Sequence, residues 1–204
     1  MRRRHRGLTI AEVLVAATVL ALSGLLTVVV FRVGAGGWKK LEAQSTMLAD
    51  YEVLTSKLAR EVQRSVYSSA SKAFDPNGES LAFLSAVDDT GTFLLDNTTF
   101  APKWQKYMIF YHDLAARRIY HTHLDLDPSS TIVDNPDVIT NYPEGTGNLN
   151  NYRTGGRLLM TDMDVCTFDL ADSMLTVKVE GSRKRYGDEK PETLKMEFSL
   201  AFRN

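Results

Sequence analysis

The chain has 204 residues, with 24 Lys plus Arg against 25 Asp plus Glu and a single cysteine. Once a special N-terminal segment is set aside, that suits one ordinary domain. Arg2, Arg3, Arg4 and Arg6 all precede Gly7, which leaves 20 basic against 25 acidic residues in the remainder. A mildly acidic body lacks the basic face of nucleic-acid binders, so no nucleic acid is indicated. Cys166 has no partner for an intramolecular disulfide. Within the alternating stretch "MDVCTFDL" it reads as a buried small hydrophobe rather than a reactive thiol.

The arginine-rich head is followed by 24 residues, 8–31, whose only ionisable side chain is Glu12. As a helix this run spans about 36 Å, enough to cross a bilayer core with some tilt. The arginines ahead of it favour a cytoplasmic N-terminus and place everything after the run on the other side. A secretory signal peptide has an apolar core of about 7–15 residues, and this run is longer. "RRRHRG" falls short of a twin-arginine motif. A plain signal anchor fits length and orientation but leaves Glu12 unexplained, because a carboxylate deep in the apolar region costs roughly 2.5–3.5 kcal/mol on insertion scales.

Around Glu12 the sequence "RG-LTIAEV" resembles the N-terminal signature of type IV pilins and of the pseudopilins of type II secretion. That signature joins a basic leader ending in Gly, an apolar residue, and a Glu fifth in the mature chain. On this resemblance Gly7 ends the leader, Leu8 becomes the new N-terminus where Phe is more usual, and Glu12 is the fifth residue. The resemblance implies cleavage after Gly7 by a prepilin peptidase, N-methylation of Leu8, and docking through Glu12. It implies as partners other pilins or pseudopilins, an inner-membrane assembly platform and membrane lipid. Physically, cleavage creates a cationic amine on Leu8 one turn from Glu12, and opposite charges at that spacing neutralise one another in low dielectric. On this reading the partner of Glu12 does not exist until the leader is removed. In a filament the carboxylate would also meet a neighbouring subunit's amine.

After "RVGAGG", a weak point because of its three glycines, comes a proline-free segment with apolar residues at Trp38, Leu41, Leu48, Tyr51, Leu54, Leu58, Val62 and Val66. That spacing makes one helical face. A near-continuous helix over residues 8–67 would be about 90 Å long, its outer half packing a globular domain. The expected organisation is a leader at 1–7, a transmembrane helix at 8–31, an amphipathic continuation at 32–69 and a periplasmic β-rich domain at 70–204.

From Ser68 the period changes. "SLAFLSA", "GTFLLDN", "KYMIFYHD", "RRIYHTHLDL", "VCTFDLAD", "MLTVKVEG" and "LKMEFSLAFR" read as strands. Hairpins are expected around "DLAA" and around "ADS", with an exposed excursion over residues 127–156. Helix first and antiparallel strands after give an α+β, pilin-like fold, the long N-terminal helix laid on a C-terminal antiparallel sheet. The order of elements also resembles the larger minor pseudopilins of the J type, low-copy subunits that sit at a filament tip and initiate assembly.

Enzyme signatures are missing: there is no G-x-S-x-G, H-E-x-x-H or phosphate-binding glycine loop, and neither a catalytic residue nor a cofactor is assigned. His121 and His123 share a strand face with His112 on the facing strand, but spacing fixes no further ligand, so they read as packing or surface residues. Asp125, Asp127, Asp134 and Asp137 lack the spacing of an EF-hand loop and read as a solvated acidic segment, although some pseudopilins bind calcium in such loops. No metal site is assigned. Two functions remain: a filament subunit, and a membrane-tethered periplasmic binding or enzymatic domain with a pilin-like anchor.

Overall fold

A computed structural model of the chain describes residues 9–126, 136–141, 148–184 and 191–203. Helix α1 (Ile10–Val62) is 53 residues long, about 80 Å at the usual rise. Its Ala, Leu and Val content, free of proline, sustains it through Gly34, Gly36 and Gly37 without a break. The glycine cluster expected to be a weak point is therefore regular helix. The helix stops at Val62, short of the expected Tyr67, where the serine-rich run "RSVYSSAS" offers the backbone other partners. There the Ser69 hydroxyl donates to the Val66 carbonyl (2.8 Å) and accepts the Leu84 N–H (3.1 Å).

Among the described residues eight strands follow: β1 (Ser71–Asp75), β2 (Gly78–Ser85), β3 (Lys106–Asp113), β4 (Arg118–Asp125), β5 (Arg157–Thr161), β6 (Met163–Ala171), β7 (Met174–Lys184) and β8 (Pro191–Ala201). They form two antiparallel sheets, β1-β2-β3-β4-β5 and β6-β7-β8, each in sequence order. The fold is thus α+β, with a long N-terminal helix packed on antiparallel sheets. The hairpins at "DLAA" and "ADS" are present as β3–β4 and β6–β7. "GTFLLDN" is not a strand; it contributes two isolated bridges, Val87 to Phe93 and Leu95 to Pro102. The excursion after β4 is not wholly exposed either, since Ile139 and Leu149 are fully buried.

The two sheets explain why β2 and β3 read as continuous apolar runs rather than alternating ones, since both of their faces are covered. Leu81, Phe83, Met108 and Phe110 point into a core shared with Leu54, Leu58 and Val62 of α1 and with Phe168, Val177 and Val179 of the smaller sheet. On the opposite face, Leu84, Tyr107 and Ile109 pack under Trp104, Leu126, Ile139 and Leu149 from the loops. Polar joints tie the sheets together. Glu79 accepts the Phe168 N–H at 2.8 Å, and Arg117 pairs with Asp164 at 2.8 Å. Phe202 packs edge-on against Phe83 and Tyr67 in the main core, and the Arg203 N–H donates to the Ser65 carbonyl just past α1.

Along α1 the packed face is shorter than the sequence pattern implies. Trp38, Leu41 and Leu48 are exposed, and the first buried side chain is Met47. From there Leu54, Leu58 and Val62 follow, with Tyr51 set edge-on to Phe198 of β8.

Candidate functional site

Gly7 and Leu8 lie outside the described residues, so the site is built from Thr9 onward. Thr9 is the N-cap of α1 in extended conformation. Its hydroxyl oxygen accepts the Glu12 N–H at 3.3 Å, while the Glu12 carboxylate accepts both the Thr9 N–H (2.9 Å) and the Thr9 hydroxyl (3.0 Å). This reciprocal arrangement is a capping box, which satisfies two of the donors that every helix start leaves over. Glu12 thus has hydrogen-bond partners on its own first turn, and the amine expected on Leu8 falls outside the described residues. Both of its bonds fall on Oε2. The signal was legible in the sequence, because Thr9-Ile10-Ala11-Glu12 is the T-x-x-E pattern that precedes an apolar run.

Beyond Glu12 the helix is apolar and uncovered. Ile10, Leu14, Leu20, Leu25, Val29, Phe31 and Val33 are all exposed. The segment has a mean hydropathy of 2.6 over its most apolar window and is long and apolar enough to cross a membrane. The chain is compatible with a single-pass membrane anchor.

The remaining sequence candidates fall into place as structural residues. Cys166 is buried, and burial pushes its thiol well above the usual range, so it is not a ready nucleophile. His112 is buried with Nε2 3.1 Å from the Met163 carbonyl oxygen, a joint between β3 and the start of β6. Burial first, with a weaker opposing contribution from that hydrogen bond, pulls its pKa down. His121 packs on the Phe110 ring, and burial followed by the Lys57 ammonium brings it down to about 4. His123 faces Asp125 at 3.7 Å. Among the described residues no cluster of three or more His, Cys, Asp or Glu side chains is arranged to hold a metal ion. Asp137 bonds Asn141 and the Val138 N–H, whereas Asp127 and Asp134 lie outside the described residues.

One residue that the sequence did not single out organises the far end of the domain. Arg153 donates to the carbonyls of Asn77, Gly78 and His112, pairs with Asp75 at 3.7 Å and lies over the Tyr111 ring. Nothing in its local sequence marks it.

Comparison with known protein families, with curated proteins and with solved structures finds no match for this chain.

Proposed function

We propose that the chain is a minor pilin or pseudopilin subunit, released from its leader by a prepilin peptidase and assembled into a type II secretion pseudopilus or a type IV pilus-like filament. Gly7 and Leu8 flank the cut, Leu8 is N-methylated, and Glu12 docks the subunit. The helix sits in a bacterial inner membrane with its N-terminus cytoplasmic and the sheet domain periplasmic, and a place in a tip or initiation complex suits a J-type subunit.

The observation that carries this reading is the length of uncovered apolar helix. Residues 10–31 span about 33 Å and suffice for a bilayer, yet Trp38, Leu41 and Leu48 stay exposed about 10–25 Å further along. A simple tether has no use for apolar side chains there. A helix that packs among copies or relatives of itself does. The capping box fits the same reading, because a carboxylate held on its own first turn enters the bilayer with part of its charge satisfied by donors.

The competing reading, a tethered periplasmic binding or enzymatic domain, predicts an uncut chain. The mass of the membrane-bound protein decides between them. A chain starting at N-methyl-Leu8, dependent on a prepilin peptidase, is expected; a chain still carrying Met1 overturns the proposal. Glu12→Ala is expected to insert and be processed but to be depleted from filaments, and unaltered assembly counts against the docking role.

A further inference from the structure

Between the last two turns of α1 and the ends of β2, β3 and β4 lies an open cleft of about 330 Å³, lined among others by Lys57, Arg60, Arg64, Lys106, His121 and His123. Its acidic residues are already engaged. Glu61 pairs with Lys57 at 2.7 Å, and Asp89 with Lys106 at 2.8 Å. Asp88 turns its carboxylate back on its own loop, accepting the N–H groups of Thr90 and Thr92 at 2.9 and 2.8 Å. Subtracting the two ion pairs leaves Arg60 and Arg64 against the hydrogen-bonded carboxylate of Asp88, and neither arginine makes an ion pair or side-chain hydrogen bond among the described residues. They stand four residues apart, Arg60 in the last turn of α1 and Arg64 in the turn just past it, and like charges so close in sequence repel.

The carbonyl end of a helix carries a fractional negative charge and attracts one cation. That accounts for one guanidinium and not for two beside a walled cleft. His121 also lines the cleft, with its Nε2 buried beneath the surface and lacking a hydrogen-bond partner among the described residues. Two guanidiniums without ion-pair partners beside a mostly polar wall describe a receptor for a planar or tetrahedral oxyanion, which arginine binds through paired N–H donors. We propose that this cleft is an oxyanion site in which Arg60 and Arg64 bind one phosphate or carboxylate group. The site is independent of the membrane-spanning segment and of the filament reading, because its residues lie on the packed end of α1, the turn after it, the sheet and the loop after β2.

The test uses the full chain in detergent micelles, titrated at constant ionic strength with inorganic phosphate and separately with succinate, and followed by calorimetry and by the ring resonances of His121 and His123. Saturable binding is expected, with those resonances shifting and affinity falling at least about tenfold in the Arg60→Gln/Arg64→Gln double variant. Lys72→Gln, which removes a cation elsewhere on the surface, is expected to leave affinity unchanged. Tighter binding of phosphate identifies a phosphate site, and comparable or tighter binding of succinate a carboxylate site. Absence of saturable binding by either, binding that survives the double substitution, or an equal loss in Lys72→Gln overturns the proposal. Should the double variant fail to fold, the resonance shifts in the unaltered chain decide alone: perturbation confined to residues outside the cleft overturns it.

Discussion

The two ends of α1 belong to one unbroken helix and obey opposite rules. Near Leu58 the side chains are sealed between two sheets, and the helix is held by what it touches within the chain. Near Leu22 none of the described residues beyond the helix covers it, although the residues are more apolar. Hydrophobicity alone therefore does not decide where this protein packs its own core. The packed end mixes Leu54, Leu58 and Val62 with charged neighbours and so presents one face, whereas the other end is apolar all round and calls for a surrounding that is apolar all round.

The largest test of that contrast is truncation at matched positions. Leu58→Ala is expected to cost about 2–5 kcal/mol in urea unfolding of the domain, since the site is closed by both sheets. Leu22→Ala is expected to change the same transition by less than about 0.5 kcal/mol. Comparable losses at both positions would break the comparison.

Acid should loosen the packed end selectively. His121 sits against α1 with Lys57 nearby, and its pKa in the fold is about 4, below the value near 6.5 of an unfolded chain. The unfolded chain therefore takes up a proton that the folded chain refuses. The contribution is fully present above pH 6.5 and is lost as pH falls toward 4. Because the ring is partly open to water, the loss is on the order of 1–2 kcal/mol. His112 adds to it in the same direction. Urea midpoints at neutral and acidic pH should converge in His121→Gln relative to the unaltered chain, and an unchanged pH dependence would remove His121 from the account.

Smaller effects sharpen the picture at the uncovered end. Thr9→Ala removes one half of the capping box and should cost about 1 kcal/mol of helix-end stability, seen as faster amide exchange in the first turn and nowhere in the domain. Gly34→Ala meets open space, with nothing but the helix's own nearby backbone and chain neighbours close to the added carbon, so it should strengthen the local helix by about 0.5–1 kcal/mol. If filament neighbours approach closely at that glycine, assembly will fall while amide protection rises, which separates a helix's own stability from its packing with others. The same change at Gly181 is different in kind, because its new carbon would collide with the Met163 side chain.

The elements that could be read in advance are those whose signals are local. The long proline-free helix follows from a 24-residue run and its amphipathic continuation, and the two hairpins from turn residues between apolar segments. What could not be read depends on partners distant in sequence. "GTFLLDN" has strand-forming residues, but its neighbours in space offer it only single bridges. β1 was hidden because "SKAFD" is short and half polar, and its strand state is supplied by pairing with β2. The division into two sheets is a choice of which face of β2 and β3 meets β6 and β7, and no residue announces it. Trp38 and Leu41 continue the apolar spacing of the packed face yet lie beyond its edge, because periodicity reports a face and not how far the rest of the chain reaches along it. At the helix start the reverse holds: T-x-x-E was plain in the sequence, and reading Glu12 only for its charge obscured its role as a cap.

The closure of the core by Phe202 and Arg203 has a consequence for biosynthesis. These residues are joined to Tyr67, Phe83 and Ser65, which the ribosome makes about 120–140 residues earlier. At about 5–20 residues per second that is an interval of roughly 6–28 s during which the helix exists without its lid. Until β6 and β7 emerge, the end of α1 and the inner face of the growing larger sheet stay open to solvent and to other chains, and Phe202 closes what remains. A chaperone that shields apolar surface should therefore engage nascent chains ending between β5 and β8 and release them once Phe202 has emerged.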